Sequence, residues 1–375
     1  MSVDNSQKKF GLSRRDVLRA GALISAAAAA GAVWPAESAK AGAGVFTGQS
    51  LRVLTWTDES GRAAVKNILD PFQAQTGAKI VADLTGATSE MVAKIKASAS
   101  KPQYDLVFLS GVGATALAEQ GLLEKPDTTK IPNLGKVTPE LRTSANGFAI
   151  GYLLATMGLM YSTARVNAPP NSWQALWDDK FSHRIFVPPP DWTDAMALTI
   201  AAVKLAGGTI DQPAGGFKLL EKLKDRVLTL GDNPAQIAEL FRSGSLDVGG
   251  PTCPLYYPGT LGKPEYGLNI AFDIKGGFYV DPQFMVVPKG HPGNVEAIYA
   301  LMNFALAAPV QANMAEAVAY GTLNQEVMLS PATLKRPGMV SAALIKQKGT
   351  VMNQPDLARV RSDWIERYTE IFGMS

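Results

Sequence analysis

An indole and a carboxylate follow the first strongly apolar segment of this sequence. Leu51–Leu54 is rich in branched residues and predicts a buried strand, and Trp56 and Asp58 come directly after it. In an open α/β sheet, ligands bind beyond the carboxyl ends of the strands, so this pair is placed to contact a ligand. The same residues could instead cover a sheet end and cap the next helix.

The same order of residue types recurs near the middle of the chain. A short strand is predicted at Ile185–Val187 and a helix at Ala195–Leu205, and Asp191, Trp192 and Asp194 lie between them. Strand, polar loop and helix form the repeating unit of an open α/β sheet. Ligands of such sheets bind beyond the carboxyl ends of the strands, so both loops are predicted to face a ligand.

Further polar and aromatic candidates follow other predicted strands. Ser110 comes directly after the apolar run Tyr104–Leu109 and either contacts a ligand or caps the next helix. Tyr256 and Tyr257 lie in a loop rich in glycine and proline, at residues 249–262. These residues add one hydroxyl and two phenols to the candidate site.

Three more candidates lie close together near residue 280. Predicted strands at Phe278–Asp281 and Phe284–Pro288 contain or adjoin Tyr279, Asp281 and Gln283. Because side chains alternate along a strand, Asp281 and Gln283 share one face if no bulge intervenes.

Residues 1–41 resemble a Tat export signal. Arg14 and Arg15 precede an alanine-rich stretch at 20–33 that is too short to span a membrane, and Ala39–Ala41 offers a cleavage site. The alternative is a basic tail before an ordinary core helix. The signal interpretation predicts an exported, periplasmic protein.

The charge of the chain after this segment is close to balanced. The 375 residues carry a formal net charge of +3, and residues 1–41, with six basic and three acidic side chains, account for all of it. The pI of 8.7 therefore gives no indication of a nucleic-acid partner.

The sequence offers little material for metal or nucleophilic chemistry. Cys253 is its single cysteine, and its two histidines, His183 and His291, stand beside turn-like segments. No Cys/His metal spacing, nucleophile motif, phosphate loop or dinucleotide fingerprint occurs. We therefore expect no disulfide and no cofactor.

Several segments resemble, in order, the periplasmic solute-binding proteins of ABC importers, and their polyamine-binding branch most of all. The resemblance covers nearly all of residues 50–372. The segments are TWTDESG (55–61), YDLVFLSG (104–111), GYLLATMGLMYS (151–162), NSWQALWDDKF (171–181), GGFYVDPQFMVVPKGHPGNVEAIYALMNFAL (276–306), AYGTLNQEV (319–327) and ARVRSDWIERYTEIF (358–372).

This resemblance implies an α/β protein with the type II periplasmic binding fold. Two lobes, each an open α/β sheet, would close like a hinge on a solute. The first lobe would comprise residues 46–150 and 284–375, and the second residues 151–283. The implied partners are a small solute and a membrane permease, without catalysis, and we expect a monomer.

Polyamine binders hold a cation between aromatic faces and carboxylates. By resemblance, Trp56, Asp58 and Ser110 match positions of the first lobe, and Asp191 or Asp194 a carboxylate of the second. The complete set of predicted ligand-binding residues is Trp56, Asp58, Ser110, Asp191, Trp192, Asp194, Tyr256, Tyr257, Tyr279, Asp281 and Gln283.

The sequence departs from the pattern of this branch where two ammonium partners are usual. Gly250 and Cys253 stand where a Trp and then an Asp are usual, and Gln283 stands where a binding Asp is usual. A desolvated cation without its counter-charge is costly. We therefore expect a monoamine, an amino-acid-like zwitterion or an opine, while a plain polyamine stays open if the other carboxylates compensate.

Two other classes of function use the same residues. Related iron binders present paired tyrosines, and Tyr256 and Tyr257 would supply hard oxygen ligands to a ferric ion. Asp58, Asp191 and Asp194 could form the acid/base pair of a secreted glycoside hydrolase.

Overall fold

The structure is a computed structural model that describes residues 44–373. Strands and helices alternate through this range, which confirms the predicted α/β class. The predicted export signal at 1–41 lies outside the described residues, so it stays a prediction.

The first sheet has the strand order β2-β1-β3-β11-β6. Its strands are β1 (Ser50–Trp56), β2 (Lys79–Thr85), β3 (Leu106–Ser110), β6 (Ala149–Ser162) and β11 (Phe278–Pro288), extended by β4 (Leu123–Glu124), β5 (Thr143–Ser144) and β12 (Gly349–Val351). β1 is parallel to β2 and β3, whereas β11 is antiparallel to β3 and β6. The carboxyl ends of β1 and β3 therefore lie at the same edge.

The second sheet shares β6 with the first. Its other strands are β7 (Ile185–Val187), β8 (Val227–Leu230), β9 (Val248–Thr252) and β10 (Leu268–Ala271). β6 pairs antiparallel with β9 and β10, and β7 is parallel to β9 and β8. The carboxyl ends of β7 and β9 again share an edge.

Two long strands connect the sheets. β6 pairs with β11 through Ala149–Met157 and with β9 and β10 through Gly158–Ser162. Every residue of β6 and β11 is buried. The sequence of residues 151–162 predicts two strands broken at Ala155–Thr156, and that of residues 278–288 predicts a division after Asp281. Both predictions are wrong, because each segment continues as one strand buried on two faces.

Helices cover the sheets. They are α1 (Glu59–Ala64), α2 (Asp70–Thr76), α3 (Thr88–Ala97), α4 (Gly111–Glu119), α5 (Thr193–Leu205), α6 (Ala214–Lys224), α7 (Pro234–Arg242), α8 (Val295–Ala305), α9 (Ala308–Val318), α10 (Pro331–Leu334), α11 (Ala342–Lys348) and α12 (Gln354–Phe372). A π-helical turn, Val65–Leu69, joins α1 to α2, and Gly77, with φ of 74°, ends α2.

The final helix, α12, packs against helices of both sheets. It contacts α4 beside the first sheet and α5 and α6 beside the second. The Trp364 ring lies 5.9 Å from that of Phe217, edge to face, and the Tyr368 hydroxyl donates to the carbonyl of Pro188 at 2.9 Å. The assignment of the chain's end to the first lobe, like the lobe boundaries, stays a prediction.

One strand lies further along the chain than the sequence indicates. The apolar residues Leu246 and Val248 predict a strand at 246–248, whereas β9 begins at Val248 and ends at Thr252. Glycine and proline are rare in strands, so their presence in β9 keeps the sequence from indicating a strand there. A Cβ at Gly249 would lie 2.0 Å from the Phe186 ring, so the absence of a side chain lets that ring pack on β9.

Among residues 44–373, no single helix is long and apolar enough to cross a membrane. Helices α8 and α9 together have sufficient length and apolar composition, but they are bent by 63° at their junction.

Candidate ligand-binding site

Asp58 stands at the carboxyl end of β1 and caps α1. Its Oδ1 accepts hydrogen bonds from the backbone N–H groups of Ser60, at 2.9 Å, and Gly61, at 3.2 Å. The capping alternative is thus confirmed. Oδ2 has no hydrogen-bond partner among residues 44–373, and the side chain is exposed. Trp56, two residues earlier, is 9% exposed.

Ser110 and Gln283 lie opposite each other on β3 and β11. Ser110 occupies the N-cap position of α4, yet its hydroxyl makes no capping hydrogen bond. Gln283 Nε2 donates to Asp281 Oδ2 at 3.0 Å, so these two side chains share a face as expected, because the strand irregularity follows Gln283. Gln283 therefore adjoins the Asp281 carboxylate, and Ser110 lies across from Gln283 on β3.

Asp281 is a buried carboxylate held by two amides. Besides Gln283, Gln354 Nε2 donates to its other oxygen, Oδ1, at 2.8 Å. Burial raises the pKa of Asp281 to about 6, although both amide hydrogen bonds and the charge of Arg361 oppose this shift. Gln354 Oε1, which is also buried, has no partner among the described residues.

Asp194 lies in the first turn of α5 and is 1% exposed. The Tyr256 hydroxyl donates to its Oδ2 at 3.5 Å, a long hydrogen bond, and Oδ1 has no partner among residues 44–373. Burial raises the pKa of Asp194 to about 7, and repulsion from the Asp281 carboxylate adds to the increase, while the backbone N–H groups of Asp194 and Cys253 and the Tyr256 hydroxyl oppose it. The two carboxylates are therefore close enough to repel each other.

Two aromatic rings stand beside Asp194. The Trp192 and Tyr256 ring centroids are 4.5 Å apart at an interplanar angle of 46°. Burial, and then the charge of Asp194, raise the pKa of Tyr256 well above its usual value, so its hydroxyl stays a donor. Such rings next to a carboxylate form a surface suited to an ammonium group.

The 3₁₀ turn Pro254–Tyr256 of the second sheet contacts α1 of the first. Asp58, at the start of α1, is near enough to raise the pKa of Tyr256 further, as it does that of Tyr152. Residues from both sheets thus form one cluster of neighbouring side chains. Its described members include Asp58, Tyr152, Trp192, Asp194, Tyr256, Asp281, Gln283 and Gln354.

Arg361 is the cation closest to these carboxylates. Its Nη2 donates to the backbone carbonyl of Asp191 at 2.9 Å, and the charges of Asp281 and Asp191 both act on it. Burial nevertheless lowers the pKa of Arg361. No carboxylate oxygen among the described residues lies within 4.0 Å of its guanidinium in an ion pair.

Two predicted residues make contacts elsewhere. The Tyr257 hydroxyl bonds to Thr252, and this side chain is buried beside the 254–261 loop. Tyr279 packs on Trp173, with centroids 5.3 Å apart, and lines a separate cavity with Lys204. Both stay predicted ligand contacts. Tyr257 is still near enough to Asp194 for that carboxylate to help raise its pKa, whereas Tyr279 is not grouped with Asp194.

Sequence reasoning missed Gln354, Tyr152 and the site role of Arg361. Gln354 follows a helix cap, Asn353, and Tyr152 lies within a continuous apolar strand. Neither position carries a local pattern that indicates ligand contact. Tyr152 has a buried hydroxyl without a partner among the described residues, which is visible only after folding.

The two α/β sheets share long strands, and carboxylates, phenols and amides lie where elements of both sheets meet. This arrangement defines a two-lobed solute receptor. The chain belongs to the bacterial extracellular solute-binding protein family, whose model matches residues 67–340. Members of this family bind small solutes.

Curated relatives extend over most of the chain. The spermidine/putrescine-binding periplasmic protein 1 of Haemophilus influenzae is 26% identical over 305 residues, which cover 77% of this chain and 79% of that protein. A putrescine-binding periplasmic protein of Pseudomonas aeruginosa is 23% identical over 347 residues, 86% of this chain and 91% of its own. These relatives are binding proteins.

Solved structures show the same fold. An ABC transporter structure from Clostridium perfringens has a TM-score of 0.75 at 24% identity, covering 86% of this chain and 99% of its own. The Atu4243-GABA receptor has a TM-score of 0.69 at 22% identity, covering 86% and 97%. AgtB of A. tumefaciens R10, in complex with agropinic acid, has a TM-score of 0.64 at 19% identity, covering 88% and 100%. The predicted two-lobed periplasmic binding fold is thereby confirmed.

Proposed function

We propose that this protein captures a small amine that also carries an acidic group, an amino-acid-like zwitterion or an opine, in the periplasm and delivers it to the permease of an ABC importer. The observation that carries this proposal is a pair of buried acceptors without donors, Asp194 Oδ1 and Gln354 Oε1. An unpaired buried acceptor costs about 1–3 kcal/mol, and an ammonium group brings three donors.

The distribution of charge supports an amine with an acidic end. The carboxylates of Asp194 and Asp58 act on Tyr256, and those of Asp281 and Asp191 act on the guanidinium of Arg361. An ammonium fits between Asp194 and the Trp192–Tyr256 pair. A ligand carboxylate would give the partly buried guanidinium the ion-pair partner that it lacks.

A plain polyamine is the second candidate. The excess of carboxylates favours it, and several relatives carry names that specify putrescine or spermidine. Against it stands Arg361, because a guanidinium near the second ammonium of a diamine would repel that group. The selectivity between these ligands therefore depends on Arg361.

The geometry gives less support to the other two classes. A ferric site needs the two tyrosine oxygens to converge, whereas Tyr256 bonds to Asp194 and Tyr257 bonds to Thr252. The relatives are transport proteins rather than hydrolases, and the unpaired buried oxygens are explained by binding alone. We therefore propose that the protein binds its solute without catalysis.

The test is calorimetric titration of the protein that begins near residue 44. The ligands are γ-aminobutyrate, glutamate, an agropinic-type opine, putrescine, spermidine and ferric citrate. We expect a zwitterion or opine to bind most tightly, and Asp194→Asn to weaken it by about 100-fold or more, because a charge-assisted contact is lost.

Arg361→Gln separates the two candidates. If the acidic end of the ligand pairs with Arg361, this variant loses affinity for the zwitterion and gains affinity for putrescine. Tighter binding of spermidine than of every zwitterion by the unaltered protein would contradict the proposed ligand. Lys222→Met, at an exposed position of α6, serves as the matched control.

A further inference from the structure

A cavity lies between α5 and α12, apart from the cluster of carboxylates. Its volume is about 330 Å³, within the range of small-molecule sites. It is lined by the second half of α5, by β11 and β12, and by the start and middle of α12. The side chains that matter here are Ile200, Val203, Lys204, Tyr279, Leu357 and Trp364.

The lining of this cavity is apolar with one charged group. Val203, Leu357 and Trp364 are each at most 2% exposed, and they form its floor. Among the described lining residues, Lys204 is the one with a charge, and it is exposed at the cavity mouth. Its Nζ lies 5.6 Å from the centre of the Tyr279 ring and makes no ion pair with a described carboxylate.

We propose that this cavity is an accessory site for a small organic anion, a carboxylate with an aliphatic or aromatic body. The body fills the apolar floor, and the carboxylate pairs with the Lys204 ammonium and reaches the Tyr279 hydroxyl. Charge complementarity selects this occupant, because an amine would be repelled by Lys204 and a neutral apolar molecule would leave that ammonium unpaired. Partial burial already lowers the pKa of Lys204, and an anion would reverse this effect.

This site is distinct from the one proposed for the amine. Asp194 and Lys204 stand at opposite ends of α5, and a helical rise of about 1.5 Å per residue separates them by about 15 Å. Both sites nevertheless share elements, since Met352 lines the cavity and Gln354 binds Asp281. An anion in the cavity would thus contact the strand and the helix that carry the amine site.

The experiment is a titration of the mature protein with octanoate, followed by tryptophan fluorescence, because Trp364 lines the cavity. We expect saturable binding, at least 10-fold weaker for octanol and absent for octylamine. The affinity for octanoate should fall at least 10-fold in Lys204→Met. It should change by no more than about threefold in Lys204→Arg, because the positive charge is retained.

Two controls make the result decisive. Lys222→Met removes a cation from the next helix, α6, and should leave octanoate binding unchanged. Excess γ-aminobutyrate or putrescine tests whether octanoate has entered the amine site instead, and neither should displace it; displacement by either would overturn the proposal. Equal affinity for octanol, or an unaltered affinity in Lys204→Met, would overturn the proposal, as would failure of octanoate to saturate at millimolar concentrations.

Discussion

At the scale of single residues, the site is controlled by two buried acids that hold protons near neutral pH. Burial raises the pKa of Asp194 to about 7 and that of Asp281 to about 6. The ammonium ligand that we propose would bind the ionised carboxylates and therefore compete with these protons. On that proposal, ligand capture and proton release are coupled at these two positions.

We expect the affinity for the amine ligand to fall by about 100-fold or more between pH 8 and pH 5, because both acids must lose a proton before they can pair with it. Titration at pH 6 in buffers of different ionisation enthalpy should show release of about one proton or more. Binding that is independent of pH across this window would contradict the assigned role of Asp194 and Asp281.

The same acids set the stability of the ligand-free protein. The pKa of Asp194 is raised from 3.8 to about 7, so between these pH values the folded state binds more protons than the unfolded state. The contribution of Asp194 to the free energy of unfolding therefore falls as the pH rises through this window.

Asp194→Asn should remove this pH dependence. In the unaltered protein, Asp194 makes the free energy of unfolding fall by about 2–3 kcal/mol from pH 5 to pH 8. We expect this contribution to be absent from the variant. Urea unfolding at several pH values measures it. Asp363→Asn, an exposed carboxyl of α12, is the control and should leave the profile unchanged.

At the scale of elements, the close approach of α4 and α12 positions Gln354. A Cβ at Gly111, the first residue of α4, would lie 2.3 Å from Gln354 Cγ. Glycine at this position therefore lets the amide reach Asp281. The first turn of one helix thus controls a ligand contact on another.

Gly111→Ala should displace Gln354 from Asp281. We expect it to lower the free energy of unfolding by about 1–3 kcal/mol through overpacking, and to weaken the amine ligand as well. Thermal unfolding and calorimetry measure the two effects. Gly135→Ala places its methyl in open space and should change neither.

The sequence predicts the site loops better than it predicts their partners. Asp58 and Asp194 follow strand ends, where a local pattern identifies them. Gln354 lies 73 residues from Asp281, and Arg361 lies 170 from Asp191, so nothing local connects these pairs. Helix α6, with Gly215 and Gly216 in its first turn, was missed for a related reason, because packing rather than propensity stabilises it.

At the scale of the whole molecule, the proposed site is complete only where elements beside one sheet contact elements beside the other. The 3₁₀ turn Pro254–Tyr256 touches α1, and Arg361 of α12 reaches the loop after β7. A ligand that pairs with residues of both sheets favours the arrangement in which these elements meet. Solute binding should therefore make the molecule more compact.

We expect the radius of gyration, measured by small-angle X-ray scattering, to decrease when the amine ligand is added. Asp194→Asn should show no decrease at the same ligand concentration, because it no longer pairs with the ammonium. An identical radius with and without ligand in the unaltered protein would contradict closure on binding.

The burial of both crossing strands has a consequence for how such closure occurs. Every residue of β6 and β11 is buried, and their backbone groups pair with neighbouring strands. Opening by local unfolding would expose these amides, whereas elastic bending spread along the strands would not. The amide hydrogens of β6 should therefore exchange among the slowest in the chain, with or without solute. Motion where β6 and β11 join the two sheets should be an elastic bend of intact strands and not a local loss of strand structure.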